Sequence, residues 1–289
     1  MSGSKRPATA LKDALRRWMP KPFWAGLRAL RQRFGVPEWR IDAKGFERPD
    51  AAAEAWDRPA LAKKLAERIG AYDRRLQAGT GMALNPDDPS GGPDPAALSL
   101  AQDYATVFTR VAEGKERLSL LDWGGGPGAA YALARHCLPK VQLSYTCQEL
   151  EAVCEAGRDL FPEARFLHEA GRCFEQRYDL VIAGSSLWYA HDWKALASQM
   201  AASAEPWFFI AKTGFVSSAP AFVAVQRPTV AGYERDFPCW ILNLPELVDH
   251  LEAQGLELVH RFEPGPELPV RGSAETVVLR SLLFKKKGS

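Results

Sequence analysis

Leu120-Leu121-Asp122-Trp123-Gly124-Gly125-Gly126-Pro127-Gly128 carries more structural information than any other nine residues of this chain. An apolar run suited to a buried strand, Leu118 to Trp123, enters a glycine-rich bend, and a helix starts near Pro127. Glycines at such a bend let the backbone approach a ligand where a side chain would collide. The following helix presents free amides at the same place. Bends of this type also open dinucleotide sites, but those keep the spacing G-x-G-x-x-G. Here the third glycine, Gly128, falls one place early, and Ala129 occupies the position it would need. Asp122, just before the glycines, suits a ligand with a cationic amino group and no pyrophosphate.

Downstream, apolar runs of strand length alternate with helical stretches. The expected strands are Leu118 to Trp123, Val141 to Gln148, Ala164 to His168, Tyr178 to Ala183, Trp207 to Lys212, Leu256 to Phe262 and Thr276 to Phe284. Helical segments lie near 127–138, 150–160, 192–203 and 245–254. Each parallel crossover needs a covering helix, so this alternation predicts an α/β fold, a seven-stranded parallel sheet with helices on both faces. The last two strands have no helix between them and predict an antiparallel edge.

Upstream the composition changes. Residues 79 to 95, GTGMALNPDDPSGGPDP, hold four glycines and four prolines and read as a linker. The expected organisation is an N-terminal helical cap over 1–78, a linker over 79–97 and the main domain over 98–289. Within the cap, Trp56, Leu61, Leu65, Ile69 and Tyr72 form a helical stripe stopped at Gly79. Leu11, Leu15, Trp18 and Met19, then Phe23, Leu27, Leu30 and Phe34, form two more, separated by Pro20 and Pro22. Residues 1–40 hold ten Lys or Arg against Asp13 and Glu38, a balance of +8 in a chain of net +2. That basic arm fits helices packed on the main domain; an anionic membrane surface, nucleic acid or an acidic carrier are the other readings. The opening residues carry charges throughout and offer no apolar run for a signal or membrane span, so a cytoplasmic location is expected. Five cysteines without C-x-x-C spacing, and five scattered histidines, argue against disulfides and against a metal site.

Two further strand tips hold candidate ligand groups. An acid about 20 residues beyond the glycine bend is placed to accept from both hydroxyls of a ribose, and Glu149 is the natural candidate, with Glu151 competing. At the tip of the fourth strand stands Gly184-Ser185-Ser186-Leu187-Trp188-Tyr189. Small hydroxyl residues with aromatics at that position suit a ligand wall, and core packing is the other reading for Trp188, Tyr189 and Trp193.

The region resembles a branch of the class I S-adenosylmethionine-dependent methyltransferase superfamily with LDFGGGLG-like, SSSLQY-like and YPCW-like motifs. This chain offers LDWGGGPG at 121–128, SSLWY at 185–189, KTGF at 212–215, Gln226 and FPCW at 237–240. Pro127 and Trp188 replace the more usual Leu and Gln. The likeness spans about two thirds of the chain and extends weakly to Trp56 and Tyr72. It implies a Rossmann-like methyltransferase sheet with S-adenosylmethionine contacts at Asp122, Gly124, Gly126, Glu149 and Ser185, to which the glycine spacing adds Gly128.

A sulfonium activates its attached carbons, so the protein has mainly to align a nucleophile and exclude water. Aromatic faces stabilise such a cation by about 0.5 to 2 kcal/mol per contact. Tyr131, Tyr189 and Trp188 are the candidates for that contact, and Ser186 lines the same tip. For a base the candidates are Tyr189, His191, Lys212 and Tyr233. The expected reaction is methyl transfer to a small biosynthetic metabolite. The alternative is cyclisation of S-adenosylmethionine to azetidine-2-carboxylate with release of methylthioadenosine, and a third is a non-catalytic scaffold of the same fold. No metal and no nucleic-acid substrate are expected, since outside the basic arm the chain is mildly acidic.

Overall fold

A computed structural model describes residues 38–42, 44–46, 56–169, 171–227 and 236–289. Contacts divide the chain into Met1–Glu38 and Trp39–Ser289, and every described residue except Glu38 belongs to the second unit. The helical stripes proposed between Leu11 and Phe34 lie outside the described residues, as does Tyr233.

The elements in chain order are β1 (Trp39–Ile41), α1 (Pro59–Gln77), α2 (Pro95–Val111), β2 (Arg117–Trp123), α3 (Ala129–Cys137), β3 (Gln142–Gln148), α4 (Glu151–Leu160), β4 (Arg165–Leu167), β5 (Tyr178–Gly184), α5 (Trp193–Ser203), β6 (Ala204–Val216), β7 (Phe222–Gln226), β8 (Phe237–Asn243), α6 (Leu244–Ala253), β9 (Leu256–Arg261), β10 (Glu267–Leu268), β11 (Val270–Arg271) and β12 (Val277–Lys286). Strands β4, β3, β2, β5 and β6 pair in parallel in that spatial order. β12 runs antiparallel between β6 and β9. The seven strands are those expected, including the antiparallel edge.

The crossover helices cover both faces. On one, Tyr72 and Leu76 of α1, Val107 and Phe108 of α2, and Leu133 of α3 pack over Leu120, Leu180, Ile182 and Phe209. On the other, Trp193, Ala197 and Met200 of α5 and Leu247 and Leu251 of α6 pack over Leu121, Val181, Phe208 and Ile210. Central strands buried on both sides are continuous apolar runs because neither face meets water. No helix among the described residues is long and apolar enough to cross a membrane.

Two features lie beyond the sequence reading. The turn-rich stretch 79–94 has no helix or strand, yet its Leu84 is buried in the same core as α1 and α2. Asp94 then caps α2, accepting from the Ala96 amide. In addition, β8 leaves the far end of β6 and carries an extension ordered β8, β7, β1, β11. Gln226 and the FPCW segment are thereby cross-strand neighbours, Gln226 opposite Phe237.

Candidate functional site

The carboxyl ends of β2, β3, β5 and β6 converge. β2 ends in the bend, where Gly124 and Gly126 adopt φ of +67° and +59°, a region glycine enters without strain. The Gly124 amide donates to the Gln148 carbonyl, tying the bend to the tip of β3. A Cβ on Gly124 would stand 2.5 Å from the Ser186 Cβ, so a glycine is what lets the β2 and β5 tips touch. A Cβ on Gly126 would meet nothing within 4 Å. The space above that residue is open.

Glu149 clamps the bend. Its two carboxylate oxygens accept from the Gly126 amide at 3.0 Å and the Leu150 amide at 2.8 Å. Each oxygen keeps a second lone pair, so the carboxylate can still accept from two hydroxyls. Burial raises its pKa, the two amides pull it back, and the charge of Asp57 at the start of α1 adds to the rise.

Asp122 sits beneath the bend. It is 1% exposed, and its carboxylate accepts from the Tyr145 hydroxyl at 2.7 Å. A Cβ on Gly125 would fall 2.2 Å from it, so the bend wraps directly over the carboxyl group. Burial pushes Asp122 up to about 7, against the Tyr145 hydrogen bond and with help from the Glu149 charge. In this form Asp122 shapes the turn from below.

Gly128 has a third role. With φ of +100° it caps α3, and a Cβ there would come within 2.9 Å of the Phe161 ring. It permits helix packing and is not on the open side of the turn.

Just past the β5 tip and within the neighbouring β6, Ser185 and Lys212 take φ of +54° and +48°, a left-handed backbone that costs a non-glycine residue about 1 to 2 kcal/mol. Ser185 Oγ donates to the Lys212 carbonyl at 3.2 Å, and the Lys212 amide donates to Ser281 Oγ of β12 at 3.4 Å. Ser186 is buried, its hydroxyl donating to the Trp123 carbonyl at 2.6 Å. Its hydroxyl proton is committed to joining β5 to β2.

The aromatic candidates separate. Tyr189 donates to Gln226 Oε1 at 3.1 Å and lies with its ring 5.8 Å from Trp56 and 5.6 Å from Trp188. Trp56 in turn lies 4.8 Å from Phe237, completing an aromatic group beside the β5 tip. Trp188 is buried and donates to the Ser185 carbonyl. Tyr131 goes elsewhere: its hydroxyl donates to Glu163, and its ring packs between Tyr145 and Phe161. His191 packs edge-on to Phe46, and Asp192 caps α5. Sequence reasoning missed Tyr145, whose hydroxyl holds Asp122, because a contact between neighbouring strands leaves no local sign.

No protein-family model matches the chain, and no curated protein matches its sequence. Solved structures do match in fold. A protein from Galdieria sulphuraria assigned as a sarcosine dimethylglycine methyltransferase is similar over 74% of this chain and 98% of its own, at 14% identity and a TM-score of 0.50. The magnesium protoporphyrin IX methyltransferase of Synechocystis PCC 6803, with bound SAH, is similar over 68% and 89%, at 14% identity and 0.44. An S-adenosylmethionine-dependent methyltransferase from Clostridium acetobutylicum gives 66% and 92%, at 12% identity and 0.44.

Proposed function

We propose that this chain, whose fold is that of the class I S-adenosylmethionine-dependent methyltransferases, binds S-adenosylmethionine across the tips of β2, β3 and β5 and methylates a small biosynthetic metabolite. The observation that carries this is the Glu149 clamp. A carboxylate already bonded to the Gly126 amide, with spare lone pairs beneath open space, is an acceptor for a ribose diol. The residues fit such a ligand: glycines where the backbone must be close, an acid at the neighbouring tip, and aromatics at the next. When bound, the cofactor supplies an electrophilic methyl group on a sulfonium. Tyr189, Trp188 and Trp56 then offer ring faces to the cation and exclude water. Tyr189, held by Gln226, and Lys212 are the side chains we assign to assist an incoming nucleophile.

A second reading is favoured by that same aromatic packing. Trp56, Tyr189 and Phe237 pack against one another beside the β5 tip, which leaves less room there for an acceptor. A site with no acceptor suits ring closure, in which the α-amino nitrogen bonds to the γ-carbon, the carbon–sulfur bond breaks and the nitrogen gives up a proton. Methylthioadenosine and azetidine-2-carboxylate result.

One assay separates them. Purified protein incubated with S-adenosylmethionine alone is expected to bind it by calorimetry and to form no product by mass spectrometry. Adenosylhomocysteine is expected only when a small-metabolite extract is added. Methylthioadenosine with a C4 imino acid, formed without extract, replaces the first reading by the second. Absence of binding heat removes both.

A further inference from the structure

Lys212 carries two unfavourable features at once, and both fall beside the site. The first is backbone strain. In the β6–β12 ladder Thr213 pairs with Arg280 and Ile210 with Leu282, so Ala211 and Lys212 together oppose Ser281 in a β-bulge. The φ of +48° at Lys212 is a conformation that glycine enters freely and lysine does not. Hydrogen bonds on both sides hold it there, the amide donating to Ser281 and the carbonyl accepting from Ser185. The second feature is charge. Lys212 is half-buried, yet its ammonium makes no ion pair or hydrogen bond with any described residue. A partly desolvated cation with no anion beside it is unfavourable. Neither feature serves the sheet, since glycine would relax the bulge and an apolar side chain would remove the charge. Bulges beside ligand sites re-aim a side chain, and strained backbone of this kind collects where ligands are held.

Position indicates what the ammonium meets. Ser185, bonded to the Lys212 carbonyl, is the residue just past β5, and its own carbonyl accepts from Trp188. Lys212 therefore belongs to the strand next to the aromatic group, across β5 from the glycine bend and Glu149. The cofactor proposed above lies over β2, β3 and β5, which leaves β6 on the side where an acceptor is brought up to it. We propose that Lys212 is the binding residue for an anionic group of the acceptor, a carboxylate or a phosphate, so that the metabolite methylated here is an acid. This rests on the methyl-transfer reading given above.

A small-metabolite extract divided on an anion-exchange resin supplies the probes. With S-adenosylmethionine and the full chain, adenosylhomocysteine is expected by mass spectrometry from the retained, anionic fraction and not from the flow-through. Phosphatase treatment of the anionic fraction then assigns the group: lost turnover marks a phosphate, unchanged turnover a carboxylate. Lys212→Met keeps the length of the stem and removes the charge. It is expected to slow adenosylhomocysteine formation from limiting anionic fraction at least about tenfold, the size of one hydrogen bond to a charged group. The same variant is expected to bind S-adenosylhomocysteine as the wild type does, which also shows that it is folded. Lys212→Arg should restore part of the rate, and Lys212→Gly should melt no lower than the wild type, since glycine takes the bulge without strain. Turnover from the flow-through alone, or an unchanged rate in Lys212→Met, overturns the proposal and leaves methyl transfer standing. Weaker S-adenosylhomocysteine binding by Lys212→Met places the ammonium on the cofactor and overturns it as well. A Lys212→Gly chain that melts several degrees lower gives the residue a structural role instead. Adenosylhomocysteine from neither fraction removes the methyl-transfer reading and this inference with it.

Discussion

The three positive-φ glycines of the bend do unlike work, which spacing alone does not reveal. Gly124 lets two strand tips meet, Gly126 faces open space, and Gly128 clears an aromatic ring. Alanine at either of the last two carries a backbone cost of about 1 kcal/mol. Gly128→Ala adds a clash with Phe161, and overpacking of this kind costs about 1 to 3 kcal/mol more. Thermal melting is expected to show Gly128→Ala destabilised by roughly 4 to 12 °C, with S-adenosylmethionine affinity kept. Gly126→Ala should melt only about 2 to 4 °C lower yet bind the cofactor at least roughly tenfold more weakly, since its methyl group occupies the ligand's space. The reverse pattern in melting and calorimetry contradicts these assignments. Ser186 makes the same point from the other side. Its SSLWY context suggested a ligand wall, and only the fold shows its hydroxyl donating to the Trp123 carbonyl.

Between elements, the parallel pair β2 and β5 is fastened near its amino end by one carboxylate. Asp179 accepts from the Ser119 amide at 2.7 Å and from the Ser119 hydroxyl at 2.6 Å, and it pairs with Lys115. Burial alone would raise its pKa, but these hydrogen bonds outweigh burial and hold it below the ordinary carboxylate value. Its stabilising effect is therefore present above the unfolded carboxylate pKa and is lost as acid protonates it. Asp179→Ala is expected to cost about 2 to 3 kcal/mol in urea unfolding at pH 7, and less at pH 3. A loss independent of pH argues against the charge as the cause. The β7–β8 pairing is another inter-element result. Gln226 and FPCW read as two separate motifs, eleven positions apart at nearest side, because a ladder joining Gln226 to Phe237 leaves no local mark.

For the molecule as a whole, the site lowers stability near neutral pH. Asp122, pushed up to about 7 by burial, binds its proton more tightly folded than unfolded. Its contribution is complete below the unfolded carboxylate pKa and is lost as pH rises through about 7. Asp122→Asn keeps the shape and an acceptor for the Tyr145 hydroxyl without the charge. Between pH 5 and 8 the wild-type unfolding free energy is expected to fall more steeply than the variant's, by about 2 to 3 kcal/mol. Parallel curves by chemical denaturation at several pH values count against a buried, charged Asp122. The variant is also expected to bind the cofactor more weakly, so the cost in stability is tied to the site.

The seven-stranded sheet and its antiparallel edge were legible in the amino acids, and so was the meeting of the glycine bend, Glu149 and the SSLWY segment at the ends of β2, β3 and β5. Strands buried on both faces become unbroken apolar runs, crossover helices become amphipathic stripes, and a close approach to ligand demands glycine. Those are local constraints, and each leaves its mark within a few residues. The β8–β7–β1–β11 extension, the hydroxyls of Ser186 and Tyr131 donating within the fold, the buried turn over Asp122 and the approach of Tyr104 to Gly184 were not. Trp39 pairs with Gln226, and Tyr104 meets a glycine eighty positions away. Side-chain direction at such junctions is set by packing among elements distant in the chain, and no neighbouring residue encodes it.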